Sequence, residues 1–367
     1  MGLGGLGQAF ADAGPARLEQ RGARLAVAAL AVKAGQSLGR AHEFRQTIEN
    51  PRPFQTFERL LRDAEAHLHI LDRVRSFSFA SGRKVCGGLP LSEAEKPTEA
   101  VNQATRDLDE CSVEEILASI HAEDYQAFKA VGSVLPAIAE AVDVLVCALS
   151  GGGRWFNVGA GTSGRMGTLD AAEIPPTFGL PAARIQALIA GGARALSRAV
   201  EGAEDNAEAG AWELRERGVM NGDAVVAISA SGATPYTLGA LEAAYEAGAR
   251  TIGITSDRSS ALADAVEIAI CPPVGPEVIA GSTRMKGGLS QKMVLHLLST
   301  TVMVRMGYVS GNLMTHLLPS SEKLRRRAEG IVVSLLGIEA SEAVRLLEQT
   351  DGDTAAAVAL GRKKPAG

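Results

Sequence analysis

Two stretches of this sequence end in hydroxyl-rich turns suited to holding an anion. In Trp155-Phe-Asn-Val-Gly-Ala-Gly-Thr-Ser-Gly164, aromatic and β-branched residues favour a buried strand, and Gly159 and Gly161 permit a sharp turn. Thr162 and Ser163 then set hydroxyls beside the first, unpaired N–H groups of a following helix. Asp223-Ala-Val-Val-Ala-Ile-Ser-Ala-Ser-Gly-Ala-Thr-Pro-Tyr236 repeats this grammar: an apolar strand ends in Ser229, Ser231, Gly232 and Thr234 just before a helix. Gly159 to Gly164 has the outline of a G-x-G-x-x-G. Yet the next strand offers no acidic residue placed for a ribose, and no Gly-Lys-Ser/Thr follows as in a P-loop. Hydroxyls without a cluster of lysines imply a mostly neutral grip on one phosphomonoester, which suggests a sugar phosphate.

These turns belong to a longer series. Gly159-Ala-Gly-Thr-Ser-Gly-Arg165, Glu173 followed by Pro175-Pro-Thr-Phe-Gly179, Val200-Glu-Gly-Ala-Glu-Asp205, Ser231-Gly with Thr234-Pro-Tyr236, and Val274-Gly-Pro-Glu-Val278 with Gly281-Ser-Thr-Arg-Met-Lys286 occur in that order. Together they resemble the N-acetylmuramic acid 6-phosphate etherase family, built on a sugar-isomerase-type (SIS) domain, over about Thr98 to Leu360. The resemblance implies a carbon–oxygen lyase of cell-wall sugar recycling. Such an enzyme cleaves a D-lactyl ether by elimination and then hydration, giving N-acetylglucosamine 6-phosphate and D-lactate.

That chemistry needs two carboxylates as acid and base, each typically worth ~10²–10⁴-fold. Glu173 and Glu204 match the family's two functional glutamates. Pro175 and Pro176 are expected to stop the helix just after Glu173 and so aim its side chain into the cleft. Gly161, Thr162, Ser163, Ser229, Ser231 and Thr234 are the expected phosphate-binding positions. Ser282 and Thr283 join them, because Gly281-Ser-Thr-Arg-Met-Lys reads as the opening of a long apolar helix whose N-terminus faces the anion. Arg284 and Lys286 either neutralise a phosphate or lactyl carboxylate or are solvated surface cations. No cofactor or metal is implied. The family pattern has Arg where Val101 and Ala233 stand, Asn at His296 and Ser321, Asp at His316, and Ser and Cys at Ala172 and Ile174.

Two other classes share these loops. One is a sugar-phosphate-binding regulator resembling glucokinase regulatory protein, which carries two such domains. The other is a sugar-phosphate isomerase. Lactate release, ketose formation or binding without turnover separates the three.

The chain of 367 residues is 46% hydrophobic but only 4% aromatic, and its 41 glycines suit close helix-on-sheet packing. A net charge of -5 argues against a nucleic-acid face. Cys86, Cys111, Cys147 and Cys271 are scattered without a C-x-x-C pair, so neither zinc nor a disulfide framework is indicated. Leu25 to Val32 is too short to span a membrane. The expectation is a soluble, cytoplasmic protein.

The hydropathy pattern predicts a doubly wound α/β fold with a mainly parallel, five-stranded sheet, and the resemblance implies that it is of the SIS type. Strands are expected near 154–159, 185–190, 223–229, 250–255 and 266–271. Four regions follow: a helical arm over 1–95, a helical lead-in over 96–150, the sugar-phosphate-binding core over 151–318 and a small helical module over 319–367. In the arm, His67 and His69 lie two residues apart and so on different sides of a helix, which disfavours a metal pair. In the lead-in, Ser112 and Glu115 form a capping box at the start of a helix running through His121 to Leu149. Family relatives work as homodimers, and the apolar run from Ala130 to Leu149 is the expected subunit surface.

Overall fold

The computed structural model describes residues 96–317, 319 and 321–363. The expectations for the arm, including His67, His69 and Cys86, fall outside these residues. Five strands, β1 (Trp155–Gly159), β2 (Ile185–Ile189), β3 (Ala224–Ile228), β4 (Arg250–Ile254) and β5 (Ile268–Ile270), form one sheet. Its order is β2-β1-β3-β4-β5 and every pairing is parallel. All residues of β1 and β3 are buried, as a strand covered on both faces requires.

Successive side chains on a strand point to opposite faces, and the core divides accordingly. Trp155, Val226, Ile228 and Ile252 pack on one face against α2 (Leu135–Ser150), α3 (Gly161–Phe178) and α7 (Lys286–Arg305). Phe156, Val158 and Val225 pack on the other against α4 (Ala207–Glu216) and α5 (Pro235–Glu246). Tyr236 belongs to this second layer; its ring is fully buried and its hydroxyl donates to Glu213 at 2.6 Å. The short helix α6 (Ala261–Ala265) covers β4 and β5. After Met306, α8 (Glu322–Leu336), α9 (Ala340–Glu348) and α10 (Thr354–Lys363) close around a separate cluster that includes Leu317, Ile331, Leu346 and Val358.

Three expectations about helices are corrected. The lead-in helix is two helices: α1 (Val113–Ser133), with the Ser112–Glu115 capping box in place, and α2, bent by 59° at Val134. Pro136, in the first turn of α2, lacks the N–H that continuing α1 would need. The apolar run expected to meet a partner is interior, because Ile138, Val142, Leu145 and Leu149 of α2 pack into the core against the sheet. Finally, α3 continues through Pro175 and Pro176 to Phe178, and Gly179 closes it by donating to the Pro175 carbonyl at 2.8 Å. The prolines sit in the last turn, so they leave the carbonyls four residues earlier, of Ala171 and Ala172, without helical donors but have no further turn to obstruct. No single described helix is long and apolar enough to cross a membrane.

Candidate active site

In a sheet of this order the chain reverses direction at β1, opening a crevice between the C-terminal ends of β1 and β3. Gly159, the last residue of β1, pairs with Ile228, the last of β3, so the two hydroxyl-rich turns leave the sheet at the same level. Gly164 lets α3 start immediately above the strand: a Cβ there would lie 2.6 Å from both the Gly159 carbonyl oxygen and the Ile189 side chain. Any larger residue would lift the helix, and with it Thr162 and Ser163, off the sheet.

The second turn is ordered by its own hydroxyls. Ser229 Oγ lies 2.8 Å from Thr234 Oγ1 and 3.4 Å from Ser231 Oγ, and it accepts the Gly232 N–H at 3.0 Å. Gly232 holds φ at +64°, where an L side chain is strained. Ser231 and Thr234 remain partly exposed above the crevice.

The third segment differs from the sequence expectation. α7 opens at Lys286 rather than at Gly281, and Ser282 and Thr283 lie in a preceding turn, partly buried. The N-terminus of α7 is occupied by a carboxylate of the chain itself: Glu277 accepts the N–H groups of Lys286 and Gly287, each at 2.8 Å. Burial raises the Glu277 pKa, and these two donors and the Lys286 charge oppose that rise. The turn still converges on the other two. A Cβ on Gly287 would meet Ala230 Cβ at 3.3 Å, and one on Gly288 would meet Thr162 Cγ2 at 3.0 Å. The Lys286 ammonium is buried and paired with Glu123 of α1, whereas Arg284 is exposed.

Beside the crevice, a cleft of about 170 Å³ lies between the start of α3 and the segment that follows β2, lined by Gly161, Arg165, Ala190, Val200, Glu201 and Glu204. Glu204 is exposed in a 3₁₀ turn, Ala203–Asp205, and the cleft brings it together with the turn after β1. Glu173 is placed elsewhere. It is exposed near the other end of α3, and the helical rise from Gly161 amounts to about 18 Å, longer than a hexose phosphate. The expectation that its side chain points into the cleft of its own chain is therefore corrected.

One turn before Glu173, Asp170 is 3% exposed between α3 and α7 and accepts Ser299 Oγ at 2.9 Å, while its Oδ2 is buried without a partner. Desolvation raises its pKa to about 6, opposed by the Ser299 hydrogen bond and the Lys292 charge and reinforced by Glu173. The only signal of this group in the sequence is an acidic residue one turn ahead of Glu173.

Among the departures from the family pattern, Val101 and Ala233 are exposed, and His296 is exposed with Nδ1 2.8 Å from the Lys292 carbonyl. His316 stacks obliquely on Tyr308, and Ser321 caps α8 by accepting the Leu324 N–H at 3.3 Å.

The parallel sheet, its switch-point crevice and the hydroxyl turns define a sugar-isomerase-type protein. The SIS domain model matches residues 211–301, and the model of the glucokinase regulatory protein N-terminal SIS domain matches 137–245. Among curated relatives, the N-acetylmuramic acid 6-phosphate etherase of Symbiobacterium thermophilum is 50% identical over 261 residues, which is 71% of this chain and 87% of that protein. The etherase of Thermobifida fusca is 46% identical over 72% of this chain and 86% of its own length, and that of Clostridium beijerinckii 43% identical over 71% and 86%. The chain belongs to the N-acetylmuramic acid 6-phosphate etherase family.

Proposed function

We propose that this protein is a lyase that cleaves the D-lactyl ether of N-acetylmuramic acid 6-phosphate in cell-wall sugar recycling. The observation that carries the reading is half-identity to an etherase over most of that relative's length. The convergence of three loops on one crevice supports it. In the reaction the sugar opens to its C1 aldehyde, a base removes the C2 proton, the C3–O bond breaks and D-lactate departs. Water then adds at C3 to give N-acetylglucosamine 6-phosphate. Ser163, Ser231 and Thr234 hold the phosphate at the crevice with Thr162 and Ser229, and Glu204 and Glu173 share the proton transfers.

The position of Glu173 bears on assembly. Since it lies a helix length from the phosphate turn of its own chain, it acts in the site of a second copy, and the enzyme works as a homodimer. A ready surface is α1, where Val113, Leu117, Tyr125 and Phe128 form one helical stripe, each more than half exposed. A cytoplasmic location completes the reading.

The test is product analysis with N-acetylmuramic acid 6-phosphate. Release of stoichiometric D-lactate supports the etherase; a ketose product or binding without turnover overturns it in favour of an isomerase or a regulator.

A further inference from the structure

Among the described residues Arg165 is the one cation lining the cleft, and its partners there are carbonyl oxygens. It stands at the start of the second turn of α3 and donates through Nε to the Leu196 carbonyl and through Nη2 to the Arg198 carbonyl, both at 3.3 Å. Those contacts hold the segment that carries Glu204 against α3. Among the described residues no carboxylate neutralises the guanidinium, and an arginine fork has more N–H donors than these two bonds consume. The same cleft is lined by two carboxylates, Glu201 and Glu204. An anionic group entering it is repelled by both unless a cation meets it there.

The substrate proposed above carries, besides its phosphate, one further anion: the carboxylate of the lactyl group on C3, next to the bond that breaks. Of the two other cations expected near the site, Lys286 is committed to Glu123 and Arg284 is exposed and does not line this cleft. We propose that Arg165 is a specificity-determining residue that receives the lactyl carboxylate, while its two carbonyl contacts keep Glu204 beside the same group. This rests on the etherase reading. It assigns substrate discrimination to a charge pair that exists before elimination and is lost when D-lactate leaves, so the sugar product binds without it.

The experiment uses the full-length enzyme and three ligands: N-acetylmuramic acid 6-phosphate, its lactyl carboxamide, and N-acetylglucosamine 6-phosphate. Lactate release by the unaltered enzyme tests the parent reading first. Arg165→Met should then lower kcat/KM for the natural substrate by about 10- to 100-fold, the usual range for losing a hydrogen bond to a charged group. The inhibition constant of N-acetylglucosamine 6-phosphate should stay within about twofold. The carboxamide should be a poor substrate for the unaltered enzyme and lose clearly less than the acid in the variant, its loss reporting only the released Glu204 segment and the difference reporting the charge pair. Arg165→Lys, which keeps the charge but loses the fork, should fall between, and it serves if the methionine variant does not fold. Equal losses for acid, amide and product would make Arg165 a loop clamp alone and overturn the proposal, as would an unchanged preference for the acid.

Discussion

Lys286 of α7 and Glu123 of α1 meet as an ion pair inside the protein, with side chains only 3% and 16% exposed. The pair ties the lead-in helix to the segment that packs on Thr162 and Ala230, so α1 positions the site without lining it. Lead-in residues reinforce the link: Thr105 Oγ1 donates to the Val278 carbonyl at 2.8 Å, and Gly281 donates to the Thr98 carbonyl at 3.1 Å.

Breaking one partner of a buried pair strands the other charge, at a cost of about 3–5 kcal/mol, whereas replacing both by apolar residues is often close to neutral. Glu123→Leu should therefore lower the thermal midpoint sharply, and Glu123→Leu with Lys286→Met should recover much of the loss. Thermal denaturation followed by circular dichroism measures both. A single variant as stable as the parent would show that water or another group satisfies the ammonium.

Asp170 gives the protein a pH-dependent weakness. Burial holds its folded pKa at about 6, above the usual carboxylate value of 3.8, so the native state favours the protonated acid. The favourable contribution is complete below about pH 4 and is lost as pH rises through about 6. The difference between the two ends of this range is worth about 3 kcal/mol. Asp170→Asn keeps an acceptor for Ser299 without the buried charge, so it should stabilise the protein at pH 8 and change little at pH 4. Paired melting curves at the two pH values decide it; equal shifts at both would show that packing, not ionisation, is responsible.

The sheet was legible in the sequence because its strands are short, mostly apolar runs that alternate with helical patterns, and all five fall within two residues of expectation. The Ser112 cap and the turns after β1 and β3 were legible for the same reason: their signals are local. What local patterns could not convey was pairing at long range. Nothing around Gly281 announces that Glu277 fills the helix N-terminus and delays α7 to Lys286. Nothing around Lys286 names Glu123. The placement of Glu173 was misread because two prolines suggest an immediate helix stop, whereas here the helix runs three residues past Pro175 to Phe178 and gives up only the two hydrogen bonds the prolines would have donated.

The hydroxyl network divides its work between shape and ligand. Ser229 is buried and bonded within its turn, so Ser229→Ala should disturb the loop itself, while the partly exposed Ser231 should act mainly on the anion. Ser231→Ala and Ser163→Ala should each weaken phosphorylated substrate by roughly 1–3 kcal/mol. Affinities for N-acetylglucosamine with and without its 6-phosphate, measured by calorimetry, check the point. Equal losses for both ligands would remove phosphate from the role of these turns.

The separation of the two glutamates along the chain gives the assembly a direct test. Glu173→Gln and Glu204→Gln should each abolish lactate release while preserving sugar-phosphate binding, because an amide keeps the shape but cannot exchange the proton. If Glu204 serves the cleft of its own chain and Glu173 that of its partner, mixing the two inactive proteins creates heterodimers with one intact site and one doubly altered site. Random reassortment of a two-fold pair puts half of the molecules in the mixed form, so activity should return to roughly a quarter of the unaltered level. The mixture should be denatured and refolded together, and its lactate release compared with each variant refolded alone. Failure to recover activity, with mixed dimers present by native mass spectrometry, would place both glutamates in one chain's site and require α3 to move.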